Sequence, residues 1–141
     1  KKNCAYAHNR SHINIRLKVE AAMSELAQIK PEDRRVVNVS DGRFIPFFSD
    51  GKQDGSVLQL NDSKPMGSGF HIYKMAAGET TVAHTHVSDE EFYIIEGNII
   101  DHDGARYGPG DLVWLRKGTK HHSYSPNGCL IVVYLEADEQ P

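Results

Sequence analysis

Apolar residues recur with a helical period only near the start of the chain. Ile15, Val19, Ala22, Met23, Leu26 and Ile29 follow the i, i+4, i+7, i+8 pattern of a helix that buries one face. The Ala, Glu, Lys, Leu and Gln of residues 15–30 are good helix formers. Pro31 stops the helix at or before Lys30, because the residue ahead of a proline is pushed out of the α region. The pattern predicts one short N-terminal helix, whose stripe packs on the rest of the chain or on a partner chain. Residues 1–14 are polar and have no such period. Cys4, His8 and His12 recur every four residues, which on a helix would share a face. Zinc wants a fourth ligand and none is near, so this stretch reads as a terminal tail.

After Pro31 the pattern becomes that of short strands. Val36, Val37 and Val39 read as a strand and Asp41-Gly42 as a turn. Phe44, Ile45, Pro46, Phe47 and Phe48 form an aromatic cluster that Pro46 limits to an edge strand or an extended lid. Ser49-Asp50-Gly51 and Gln53-Asp54-Gly55 read as turns, residues 57–60 as a strand and 61–68 as a loop. From Gly69 onward, residues 70–75, 80–86, 91–96, 98–101, 111–115, 121–124 and 130–135 are strand candidates, rich in Ile, Val, Tyr, Phe, Thr and Trp. Turn signals separate them, among them Ala77-Gly78, Gly97-Asn98, Asp103-Gly104, Pro109-Gly110, Lys117-Gly118 and Asn127-Gly128. Many short, evenly spaced strands predict an all-β sandwich or barrel with antiparallel pairing. The expected division is a tail and helix over residues 1–35 and a β-domain over residues 36–141.

Composition narrows the function classes. A chain of 141 residues with 39% hydrophobic and 25% charged residues is an ordinary globular domain. A net charge of -3 gives no electrostatic reason to expect nucleic acid or an anionic membrane as partner. No apolar run approaches the roughly 20 residues that span a bilayer. No segment has the apolar core of a signal peptide, so a cytoplasmic location is expected. Cys4 and Cys129 are compatible with one disulfide, but their separation favours free thiols in a reducing compartment.

The chemistry-bearing stretch is His84-Thr85-His86-Val87-Ser88-Asp89-Glu90. Residues two apart on a strand share a face, so His84 and His86 point the same way, and Glu90 keeps that parity across a Ser88-Asp89 turn. One hairpin would then supply three ligands, and His121 would close the site from another strand. Three imidazoles and a carboxylate suit Fe(II), Mn(II), Ni(II), Cu(II) or Zn(II) and argue against Ca(II). Four protein ligands leave open positions on a metal that tolerates five or six.

The joint spacing carries a resemblance. Gly78, five residues, His84-x-His86, three residues, Glu90, six residues and Gly97 resemble the first motif of the cupin superfamily. Pro109-x-Asp111, followed ten positions later by His121, resembles the second. The resemblance covers roughly residues 69 to 135. It implies a jelly-roll barrel, commonly a homodimer, with His84, His86, Glu90 and His121 as ligands to a divalent metal: Fe(II) first, with Zn, Mn or Ni as alternatives. Arg116 stands where cupins usually have proline, which loosens the loop 116–120 without moving the ligand. Glu96-Gly97-Asn98-Ile99, Asp101-x-Asp103-Gly104 and Asn127-Gly128-Cys129 are similar to the ChrR-type cupin domain and to acetylacetone- and dihydroxyacetophenone-cleaving dioxygenases.

On strand parity, Phe92 and Ile94 share Glu90's face, and Val82 and Thr80 share that of His84. These four are the expected walls of an apolar pocket for a small molecule. The leading expectation is a metal-dependent dioxygenase acting on a small keto or hydroxyketone substrate. The alternatives are a ChrR-like ligand- or redox-sensing domain and a non-redox lyase or isomerase. Cupin lyases use a tyrosine two residues after the glutamate, where this chain has Phe92; Tyr93, Tyr107, Tyr124 or Tyr134 would have to replace it. His71 and His102 read as surface histidines, His122 as facing away from the site, Trp114 and Tyr134 as core or interface, and Cys129 as a buried apolar residue.

Overall fold

The computed structural model describes residues 26–136. The chain divides into two compact units, Lys1–Arg35 and Val36–Pro141. In the first unit, Pro31–Asp33 makes a single 3-10 turn, closed by the Arg34 N–H on the Pro31 carbonyl at 3.3 Å. Most of the expected helix, and the Cys4, His8 and His12 series, lie outside the described residues. Residues 26–30, its expected last turn, are not helical.

The second unit is all β. Its six-stranded antiparallel sheet contains β1 (Ile45–Ser49), β2 (Lys52–Leu58), β3 (Gly69–Met75), β6 (Glu90–Gly97), β9 (Leu112–Leu115) and β12 (Cys129–Leu135), in the order β1-β2-β3-β12-β6-β9. A four-stranded sheet runs β4 (Glu79–Thr80), β11 (Ser123–Ser125), β7 (Ile99–Asp101), β8 (Arg106–Tyr107). β5 (His84–Thr85) and β10 (Lys120–His121) pair with each other alone.

The large sheet follows from alternation. On β12, Cys129, Ile131, Val133 and Leu135 are buried while Leu130, Val132 and Tyr134 face out. β12 pairs with both β3 and β6, so Val133 lies between His71 and Phe92, and Leu135 between Gly69 and Glu90. The inward side chains, with Met75, Ile94 and Ile99, form the core. Ile94 is completely buried. Burying one such side chain stabilises the fold by about 1.5–3 kcal/mol.

Several expectations change. Val36, Val37 and Val39 form no strand, and Val36 is exposed. The Asn38 side chain accepts from the Ser40 N–H at 3.0 Å and turns the backbone instead. Gln53-Asp54-Gly55 lies inside β2 and is not a turn. Gly55 has φ +68, and a Cβ there would meet the Tyr73 ring at 2.6 Å, so glycine here serves a close approach. The 80–86 and 121–124 candidates each break into two short strands. β8, two residues long, carries no alternation to find. The aromatic cluster does form an edge strand, with a register irregularity between Pro46 and Phe48.

Candidate metal centre

His84 and His121 are cross-strand partners in the β5–β10 pair. That register sets their rings 4.7 Å apart, centroid to centroid, with their Nε2 atoms 3.0 Å apart. His86 follows β5 and is held by its backbone: its N–H donates to the Thr119 carbonyl at 3.0 Å, and its carbonyl accepts from Gly118 N–H at 2.8 Å. The 116–120 loop is therefore wrapped around His86. The His86 ring lies 5.1 Å from that of His84 and 4.8 Å from that of His121. Ligand atoms of all three imidazoles fall within 4.8 Å of one another, and all three residues are buried. Glu90, also buried, opens β6 and brings Oε2 to 3.6 Å from His86 Nε2.

These residues do not come from one hairpin. β5 pairs with β10, whereas β6 pairs with β12 and β9. Glu90 reaches the cluster from the large sheet, and the histidines from the β5–β10 pair and the residue after β5.

The donor set fits a metal ion. The Val82 carbonyl accepts from Nδ1 of His84 at 2.8 Å, and a carbonyl can only accept. The Asp101 carboxylate takes the Nδ1–H of His121 at 3.3 Å. With both Nδ1 atoms donating, the two Nε2 atoms face each other in a buried site, an arrangement that a shared cation would satisfy.

Two buried aspartates support this arrangement; the sequence reading placed Asp101 in a family-like motif and Asp54 in a turn, and gave neither a role at the site. Asp101 Oδ1 also accepts from Ser123 Oγ at 2.5 Å, and Oδ2 accepts from the Tyr107 hydroxyl at 3.1 Å. Burial alone would raise the Asp101 pKa; the bonds from His121 and Ser123 and the His121 charge outweigh it and hold the carboxyl below its ordinary range. Burial and the Asp101 charge push the Tyr107 hydroxyl up to about 12. Asp54 accepts from the Tyr73 hydroxyl at 3.1 Å and from Val82 N–H at 3.2 Å, and Val82 is the residue whose carbonyl holds His84. A carboxylate acting through a distant loop leaves no local sequence pattern.

A cavity of about 360 Å³ opens on the cluster. Phe47, Phe48, Phe92, Met75 and Val133 give it apolar walls, and His84, Glu90 and His121 line one part. Of the four expected wall residues, Phe92 lines it. Ile94 is buried in the core behind, and Thr80 is exposed and paired with Tyr124 on the small sheet. Val82 does not line it either; Thr81 does. The chain leaves the strand ladder between β4 and β5, so parity counted back from His84 fails there. His71, expected at the surface, is buried and lines the cavity, because β3 points Gly69, His71 and Met75 inward. His102 is exposed, and His122 stacks loosely on it at 5.6 Å. Trp114 and Tyr134 are exposed and not core. Cys129 is a free, buried thiol whose pKa burial pushes up. Among the described residues, no helix is long and apolar enough to cross a membrane.

Comparison with known proteins agrees with this fold. The family model described as the ChrR Cupin-like domain matches residues 32–138. The polyketide cyclase RemF from Streptomyces resistomycificus superposes with a TM-score of 0.62 at 19% identity, over 77% of this chain and 82% of that one. An acetylacetone dioxygenase from Acinetobacter johnsonii does so with a TM-score of 0.59 at 19% identity, over 78% and 79%. An RmlC-like cupin protein from Ralstonia eutropha JMP134 gives 0.60 at 17% identity, over 74% and 69%. At such identities the shared property is the fold. No curated protein sequence matches the chain.

Proposed function

The chain belongs to the ChrR Cupin-like domain family, and from that premise we propose that it is a metal-dependent dioxygenase acting on a small keto or hydroxyketone substrate. The observation that carries the reading is the buried three-histidine cluster, with Glu90 beside it, opening on a cavity of about 360 Å³ with apolar walls. That volume sits at the lower end of small-molecule pockets. One structural neighbour is an acetylacetone dioxygenase, which suggests β-diketones as the first substrates to try.

In this reading His84, His86, His121 and Glu90 hold the ion, and Fe(II) is the proposed metal. The metal, when bound, polarises the substrate oxygens and supplies the redox chemistry with O2. Phe92 and the Phe47–Phe48 pair hold the apolar body of the substrate and keep water out. Val82 and Asp101 hold the imidazole Nδ1 protons in place, so that the Nε2 atoms face the ion.

The lyase reading needs a tyrosine in the cavity that gives up its proton. Tyr93, Tyr124 and Tyr134 are exposed, and Tyr107 is bound to Asp101. Tyr73 lines the cavity, but burial and then the Asp54 charge drive its pKa far above the ordinary tyrosine value. The sensing reading rests on the family alone.

Oxygen consumption by the iron-loaded protein, measured with a panel of β-diketones and hydroxyketones, tests the proposal. Substrate-dependent uptake in step with loss of the diketone is expected. Absence of uptake across the panel, with metal still firmly held, would move the assignment to a ligand sensor or a non-redox lyase or isomerase.

A further inference from the structure

We propose that Asp101 is the positioning residue of the metal centre: it fixes the ring and tautomer of His121 so that Nε2 presents its lone pair to the ion. The proposal rests on the reading of the histidine cluster as a metal site.

Little else holds the His121 ring. β10 is two residues long and pairs only with β5, which is equally short. Two short strands fix a backbone register but not the rotation of a ring. His84 has a local support, since the acceptor of its Nδ1–H lies two residues back, at Val82. The acceptor for His121 is twenty residues away in sequence, on the four-stranded sheet.

That acceptor is itself held. Ser123, the cross-strand partner of Asp101, donates to the same oxygen that receives His121. The Tyr107 hydroxyl donates to the other oxygen. The Asp101 backbone closes a turn, with its N–H on the Ala105 carbonyl at 2.9 Å and its carbonyl accepting from Gly104 N–H at 2.8 Å. The carboxylate therefore has no freedom to turn away. The Tyr107 ring packs edge-on against Phe92 at 5.6 Å, which ties this support to the cavity wall.

A carboxylate on the outer nitrogen of a metal-bound imidazole fixes the tautomer and makes the inner nitrogen a better ligand. Loss of such a partner typically weakens metal binding about 10–100-fold.

Zinc binding to metal-free protein is the probe. In the natural protein, nitrogen-resolved NMR of the zinc-loaded form is expected to show His121 bound through Nε2, with an exchange-protected proton on Nδ1. Zinc on Nδ1 of His121 would overturn the proposal, because the Asp101 bond could not then exist. In competition with a chromophoric chelator, Asp101→Asn and Asp101→Ala are expected to bind zinc about 10–100-fold more weakly. Tyr107→Phe, which keeps the His121 bond and the packing on Phe92, is expected to lose less. An Asp101→Ala protein with natural affinity, or equal losses in Asp101→Ala and Tyr107→Phe, would contradict the positioning role. Should the Asp101 variants fail to fold, the NMR of the natural protein decides alone. Failure of the natural protein to bind zinc at all removes the metal centre itself, an outcome distinct from zinc bound at the wrong nitrogen.

Discussion

The six-stranded sheet and the β5–β10 pair solve opposite problems. The large sheet is long, regular and apolar on its inner face; β12 alone contributes four buried side chains in strict alternation. The β5–β10 pair has two residues per strand, yet carries two of the three clustered histidines. Hydrophobic burial organises the first. Hydrogen bonds organise the second: Thr119 and Gly118 on His86, Val82 on His84, Asp101 on His121. The contrast teaches that this fold separates stability from chemistry. The sheet holds the domain together, and polar contacts aim the imidazoles.

That separation can be broken or sharpened by mutation. The largest effect is expected at the cluster. His121→Ala should weaken metal binding by more than the roughly 10–100-fold attached to a supporting hydrogen bond, with a far-ultraviolet circular dichroism spectrum unchanged from the natural protein. Unfolding of the sheet in that variant would deny the separation. Next comes Ile94→Ala, a fully buried truncation in the large sheet. It should cost about 2–5 kcal/mol in urea unfolding while metal stoichiometry stays the same.

A smaller loss is expected at Gly97, which ends β6 with φ +76 and whose added Cβ would run into the Gly128 carbonyl oxygen. Gly97→Ala should destabilise by more than about 1 kcal/mol, again without loss of metal, as read by thermal melting and metal analysis. The smallest effect belongs to Asp89. The Lys117 N–H donates to it at 2.8 Å and the Trp114 indole at 3.1 Å, and these bonds, Lys117 first, lower its pKa. A depressed carboxylate pKa adds stability above the ordinary carboxylate range, and that stability is lost as pH falls through the depressed value. Asp89→Asn should therefore melt slightly lower than the natural protein near neutral pH, with the difference closing in acid. The emission of Trp114, the one tryptophan of the chain, gives a second readout.

The same contrast explains what could be read from sequence. β3, β6 and β12 were legible because runs rich in Ile, Val, Tyr and Phe stand between clear turn signals. The candidate ligands were legible through their spacing. The pocket walls were only partly so. Parity from Glu90 found Phe92 but also chose Ile94, which is buried in the core, and parity from His84 chose Thr80 and Val82 across a stretch where the ladder is interrupted. The supporting roles of Asp101 and Asp54 were not legible because each acts across the fold, from a strand whose local sequence does not point to the histidines. His71 was missed because a single histidine on a strand looks the same whether its face is inner or outer. Val36 and Val37 have strand-forming side chains but no neighbouring strand to pair with.

The central claim is that three imidazoles and the Glu90 carboxylate converge on one ion. X-ray absorption of the protein loaded with one equivalent of zinc or iron examines that shell directly. The account predicts three histidine nitrogens and at least one carboxylate oxygen about the metal, with one imidazole lost in His84→Ala. A shell with fewer than three imidazoles, or one unchanged by His84→Ala, would contradict it.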